Sequence, residues 1–255
     1  MLATPIKLLC FFFVLTLAVP IIIAKETSML LNFTPCRLSD PNLNQCIRKA
    51  LNEAMTDIAR GVPRLGLPPL DPLSMHSLEV SNGEGQSQIV FKFRDLDMYN
   101  LGSFAISTIN FDPNSYKCFI GIEAKDNIIY KGFYEVNGYL FKLPVTGKGR
   151  CEVSMDNYKT NITIQFQKIT SNGKHFLKPV NLSKTMSTSR MRFNFHNLFN
   201  GNKVLGDTVN NLMNQNWMEM LKYLEPTFTK MLDQLYIRYA TAFFQKVPMD
   251  EYLQD

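Results

Sequence analysis

Residues 204–246 carry an almost unbroken helical periodicity, and they end a chain whose middle alternates with a period of two. Apolar side chains recur at Leu205, Val209, Leu212, Met213, Trp217, Met220, Leu221, Leu224, Phe228, Met231, Leu232, Leu235, Tyr239, Ala242 and Phe243. That spacing draws one apolar stripe along a helix. At about 1.5 Å of rise per residue the helix is roughly 60 Å long, more than a compact domain of this size spans. Something equally long has to wrap it. The other face holds Asp207, Asn211, Gln215, Glu219, Lys222, Lys230, Asp233 and Arg238, so the run never offers the ~18 uncharged residues of a bilayer crossing. Pro226 lacks an N–H and crowds the preceding turn, which predicts a kink there before the stripe resumes at Phe228.

The wrapping is β. Between Ser87 and Phe195, apolar and polar residues alternate in successive runs: Phe104 to Phe111, Cys118 to Ile122, Ile128 to Val136, Tyr139 to Leu143, Asn161 to Lys168 and Met191 to Phe195. Asn137-Gly138 and Asn172-Gly173 read as two-residue hairpin turns, because both central positions of a type I′ turn need positive φ. A shorter helix precedes the strands, with Asp40 as N-cap, Pro41 at the first helical position and Gly61 as the stop. Each part supplies an apolar surface that the other can bury. The expected fold is α+β, a highly curved antiparallel β-sheet wrapped around one long C-terminal α-helix, with a short N-terminal helix. No linker or fixed-period repeat divides residues 25–255, so they are read as one domain.

Residues 1–24 read as a secretory leader: Lys7, an apolar run from Leu8 to Ile23, and small Ala24 before Lys25. An extracellular location follows as an expectation. Once Cys10 leaves with the leader, four cysteines remain, and an even number in an oxidising compartment predicts the bridges Cys36–Cys46 and Cys118–Cys151. A zinc site is the alternative, but no C-x-x-C pair or nearby histidine supports it. Sequons at Asn32, Asn161 and Asn181 are candidate glycan acceptors. Asn161 lies on the polar side of its strand. Loss of Lys7 takes the formal charge from +5 to +4, and the 27 Lys and Arg residues are dispersed, which argues against a nucleic-acid partner.

The chain is poor in reactive constellations. His76, His175 and His196 stand apart, and the P-loop, the nucleophile elbow and the H-E-x-x-H helix are missing from the sequence. Asp95 with Asp97, and Asp250 with Glu251, read as solvated charges. The expectation is therefore no enzyme, no cofactor and no metal. The sequence is rich instead in adaptable apolar groups, with 19 Phe, 10 Tyr and 13 Met. Met213, Met220 and Met231 fall on the helical stripe, where methionine suits either an irregular cavity or plain core.

Four segments carry a resemblance. Cys36-x9-Cys46 encloses Asp40-Pro41; GLPPLDPL runs from Gly66 to Leu73; LPVTGKG runs from Leu143 to Gly149; and LFNGNKVLGD, from Leu198 to Asp207, precedes Asn216-Trp217. In this order they make the chain resemble the insect takeout and haemolymph juvenile hormone binding proteins over its whole length past the leader. The pair Cys118 and Cys151 departs from the single disulfide of the takeout pattern.

The resemblance implies a tunnel between the sheet and the long helix, and a monomeric carrier of a small hydrophobic ligand such as a juvenile-hormone-like terpenoid, a fatty acid or another lipid. Its walls are expected from the helix at Trp217, Met220, Leu224, Phe228 and Met231. Strand alternation adds Phe91, Ile106, Ile120, Tyr134 and Phe141, with the Tyr134 hydroxyl donating to a ligand oxygen. The competing reading is a secreted protein-interaction module of the same fold, with a filled core and a receptor or another protein as partner.

Overall fold

The computed structural model describes residues 31–82 and 89–255. The expected leader, and the residues of the β pattern before Ile89, lie outside them.

Helix α1 (Leu43–Arg60) ends at Gly61, whose φ of 89° is a conformation that only glycine adopts without strain. Its start falls later than the expected Asp40 cap. Asn42 takes the N-cap position, and the Asp40 carboxylate accepts the Asn42 N–H at 2.7 Å, so Asp40-Pro41 forms the turn that leads in.

The strands are β1 (Cys36–Arg37), β2 (Leu73–Asn82), β3 (Ile89–Tyr99), β4 (Phe104–Asp112), β5 (Lys117–Ala124), β6 (Ile128–Leu140), β7 (Leu143–Asp156), β8 (Lys159–Ser171), β9 (Lys174–Ser187), β10 (Arg190–Phe195) and β11 (Leu253–Gln254). The expected antiparallel layer is divided between two sheets, a five-stranded one in the order β10-β7-β6-β3-β2 and a four-stranded one in the order β4-β5-β8-β9. Strands β1 and β11 pair in parallel, Cys36 opposite Leu253, so the C-terminal residues return to the start of the described chain.

One of the two expected hairpin turns moves. Asn172-Gly173 does link β8 to β9, both with positive φ. Asn137 and Gly138, by contrast, continue β6 and face Thr146 and Val145, and the turn is made by Phe141 and Lys142 at φ 49° and 67°. Cross-strand pairing carried the strand past a local turn signal.

The long apolar stripe is built from two helices, α2 (Lys203–Gln215) and α3 (Trp217–Phe244). The break falls at Asn216, whose side-chain amide folds back to donate to the Leu212 carbonyl at 2.8 Å. Its own carbonyl meanwhile accepts from Glu219 and Met220, so one residue closes α2 and opens α3. Pro226 sits inside α3, which continues through it, and the break between the two helices falls ten residues earlier, at a position where the sequence pattern predicts none.

Helix α3 packs against β2 and β10, the two outer strands of the five-stranded sheet, and against β9, an outer strand of the other. At about 4.8 Å between strands, a flat sheet would hold β2 and β10 roughly 19 Å apart, nearly twice a helix diameter. The sheet therefore curls around the helix. Two large apolar cores result, one inside the five-stranded sheet and one between the four-stranded sheet, α1 and the chain end. Tyr236 of α3 packs against both.

Candidate functional site

Inside the curl lies an apolar cavity, and alternation decides its wall. Strand β3 turns Phe91 and Phe93 inward, their rings stacked at 5.9 Å. Strand β10 adds Met191, Phe193 and Phe195, with Phe195 tilted against Phe91 at 5.7 Å. Helix α3 closes the space with Met220, Leu221, Leu224, Phe228 and Leu232, residues three and four apart on one face. Leu96 of β3, Tyr130 of β6, Val153 and Met155 of β7, and Met186 of β9 complete the wall, where Glu225 is the charged member. The void among these side chains is about 30 Å³, space for a water molecule or two. Four methionines border it.

Of the expected wall residues, Phe91, Met220, Leu224 and Phe228 meet at this cavity. Trp217 and Met231 pack on the same core, away from the void. Tyr134 is buried, but its hydroxyl donates to the His196 carbonyl at 2.8 Å and its ring meets Phe195 edge-on at 4.7 Å. That hydroxyl is committed to the backbone, not to a ligand. Burial raises its pKa above the usual tyrosine range. Ile106 and Ile120 belong to the other core, because β4 and β5 lie in the other sheet. Phe141 occupies the β6–β7 turn and is exposed, since alternation was extended past the strand's last residue.

The cysteine expectation is half right. Cys36 and Cys46 form a disulfide that fastens β1 to α1. Cys118 and Cys151 are free and buried, the first in β5 of the four-stranded sheet and the second in β7 of the five-stranded sheet. They belong to different cores, which rules out the second bridge. Burial pushes each thiol up to about 12, so both are small protonated core groups. Asn161 points outward between buried Thr160 and Ile162, while Asn32 and Asn181 are exposed.

Phe93, Phe195, Tyr130, Met155, Met186 and Met191 are wall residues that sequence reasoning did not name. The alternation of Met191, Phe193 and Phe195 held the signal for one edge. Which strand would become that edge was not readable without the pairing order.

The description of the haemolymph juvenile hormone binding protein family matches residues 9–254. The chain belongs to this family. It is 22% identical over 226 residues to the circadian clock-controlled protein daywake of Drosophila melanogaster, covering 86% of each chain. It is also 22% identical over 215 residues to a putative beta-carotene-binding protein of Schistocerca gregaria, covering 83% of this chain and 84% of that one. The crystal structure of Epiphyas postvittana Takeout 1 superimposes with a TM-score of 0.76 at 22% identity, over 87% of this chain and 99% of that chain. The family is one of binding proteins and not of enzymes.

Proposed function

We propose that this protein is a secreted carrier that takes a small hydrophobic ligand, a terpenoid, fatty acid or related lipid, into the cavity between the curled sheet and α3. The observation that carries the reading is the wall itself: aromatic and methionine side chains from five strands and one helix converge on one point, with a single charged residue among them. Family membership supports it, as does the relative from Schistocerca gregaria named for a carotene. At about 25 cal/mol per Å², burying roughly 300 Å² of apolar ligand surface contributes about 7 kcal/mol before losses of motion, in the micromolar range without any ionic contact.

A ligand of that size is much larger than a void of about 30 Å³, so uptake requires the wall to move. Met155, Met186, Met191 and Met220 are suited to this, since an unbranched thioether changes rotamer readily. The same small void is the specific observation that favours the second reading, an interaction module with a filled interior. Organic extraction of natively purified protein followed by mass spectrometry separates them. A stoichiometric lipid supports the carrier; repeated lipid-free preparations of folded protein support the interaction module. Secretion through the leader at residues 1–24, and glycans at Asn32, Asn161 and Asn181, belong to the same proposal, and intact-mass analysis of protein recovered from the medium tests them.

A further inference from the structure

One buried cation lies beside the cavity. Lys184 of β9 points inward between Leu182 and Met186, and its side chain is only 2% exposed. It donates to the Thr229 carbonyl at 2.8 Å and to Asp233 Oδ1 at 2.7 Å, both on α3. A cation that deep has to be compensated, and this pair compensates it.

Other polar groups share that level of the molecule. Tyr158, 3% exposed, stands beside Tyr236 of α3 and Thr160 of β8. Thr160, the one fully buried polar residue among those described, donates to the Thr185 carbonyl at 2.9 Å. Tyr130, which lines the cavity, packs in the same core as Tyr158 and Tyr236. The group stands between the two large cores: Met186, Tyr130 and Tyr158 pack in the first, Leu182 and Ile162 in the second, and Tyr236 touches both.

We infer that this girdle of Lys184, Asp233, Tyr158, Tyr236 and Thr160 is the end wall of the ligand site, receiving the oxygen-bearing end of an apolar ligand and limiting its length. The inference rests on the carrier reading. Extending an alkyl chain through the girdle would strip hydrogen bonds from the buried Lys184 ammonium and the Thr160 hydroxyl, so chains stop there. An oxygen at the chain end instead meets the Lys184 ammonium, which has three N–H donors and spends two of them on Thr229 and Asp233. The length limit then follows from Lys184 and Asp233, which bolt β9 to α3.

The test uses 1-alkanols of eight to twenty carbons, competing with N-phenyl-1-naphthylamine bound to the purified full chain. Affinity should rise roughly fourfold per methylene, as burial of each CH₂ dictates, reach a maximum, and fall at least tenfold for longer chains. The double variant Lys184→Met with Asp233→Leu should move the maximum to longer chains. An unchanged maximum in a folded double variant, or no maximum in the wild type, overturns the inference. If the folded wild type binds neither the dye nor any alkanol, the carrier reading itself has failed.

Should the double variant not fold, the wild type still decides. A decanol carrying a diazirine next to its hydroxyl should label peptides holding residues 182–186 or 229–236. Labelling confined to residues 243–254 contradicts the girdle as end wall.

Discussion

The side-chain amide of Asn214 accepts the N–H of Phe193 at 2.8 Å and donates to the carbonyl of the same residue at 2.8 Å. Four residues earlier, Asn210 does the same for Phe195, at 2.9 and 3.0 Å. Strand β10 is an outer strand with its far side unpaired, and α2 satisfies it with two asparagines in place of another strand. At the outer strand β4 of the other sheet, Asn52 of α1 brackets Ile106 in the same way, at 2.9 and 3.2 Å.

Replacing Asn214 by Leu should therefore destabilise the fold by about 1–3 kcal/mol, because two backbone groups lose their partners together. Asn214→Asp keeps the acceptor and loses the donor, so it should fall between. Urea denaturation monitored by circular dichroism checks the order; equal stability of wild type and Asn214→Leu would contradict it.

The free thiols give a pH prediction. Both Cys118 and Cys151 are held protonated, at about 12 against an ordinary value of 9.0. Above pH 9 the unfolded chain releases these protons while the folded chain keeps them, so stability is intact below about pH 9 and is lost as pH rises toward 12. Tyr158, also raised to about 12 by burial, adds to the loss above pH 10. Denaturation series from pH 8 to 11 should show this decline, and Cys118→Ala with Cys151→Ala should flatten it. At neutral pH a thiol reagent should modify both cysteines only after denaturation.

Methionine plasticity gives another. Met220, 1% exposed, faces the cavity from α3. Met220→Ala should destabilise by about 2–5 kcal/mol, whereas Met220→Leu should stay within about 1.5 kcal/mol of wild type. If wall motion admits the ligand, Met220→Leu with Met191→Leu should narrow the range of lipids bound while the fold survives. Trp217→Ala, off the wall, should affect stability more than ligand range.

The helical stripe, the alternating strands and the Gly61 stop were legible because each depends on local periodicity or on a backbone angle. Pairing partners were not. Asn137-Gly138 carries a strong turn signal, yet its neighbours on β7 hold it in a strand. Ile106 and Ile120 alternate just as Phe91 does, and only the division into two sheets sends them to another core. Asp233 reads as one more charge on the polar face of the helix, because its partner Lys184 is 49 residues away. For the same reason Cys118 and Cys151 looked like a pair: even parity says nothing about which sheet holds each cysteine.

On the carrier reading, the curled sheet and α3 enclose a site for one hydrophobic molecule. Titration of folded, delipidated protein with a fluorescent fatty acid and a fluorescent terpenoid analogue tests it most directly. The account predicts saturable binding of at least one probe at about one per chain, nearly unchanged by added salt because burial supplies the affinity, and weakened by Met220→Glu in protein whose circular dichroism is native. Absence of saturable binding across a chemically varied panel of lipids, by protein shown to be folded, would contradict it.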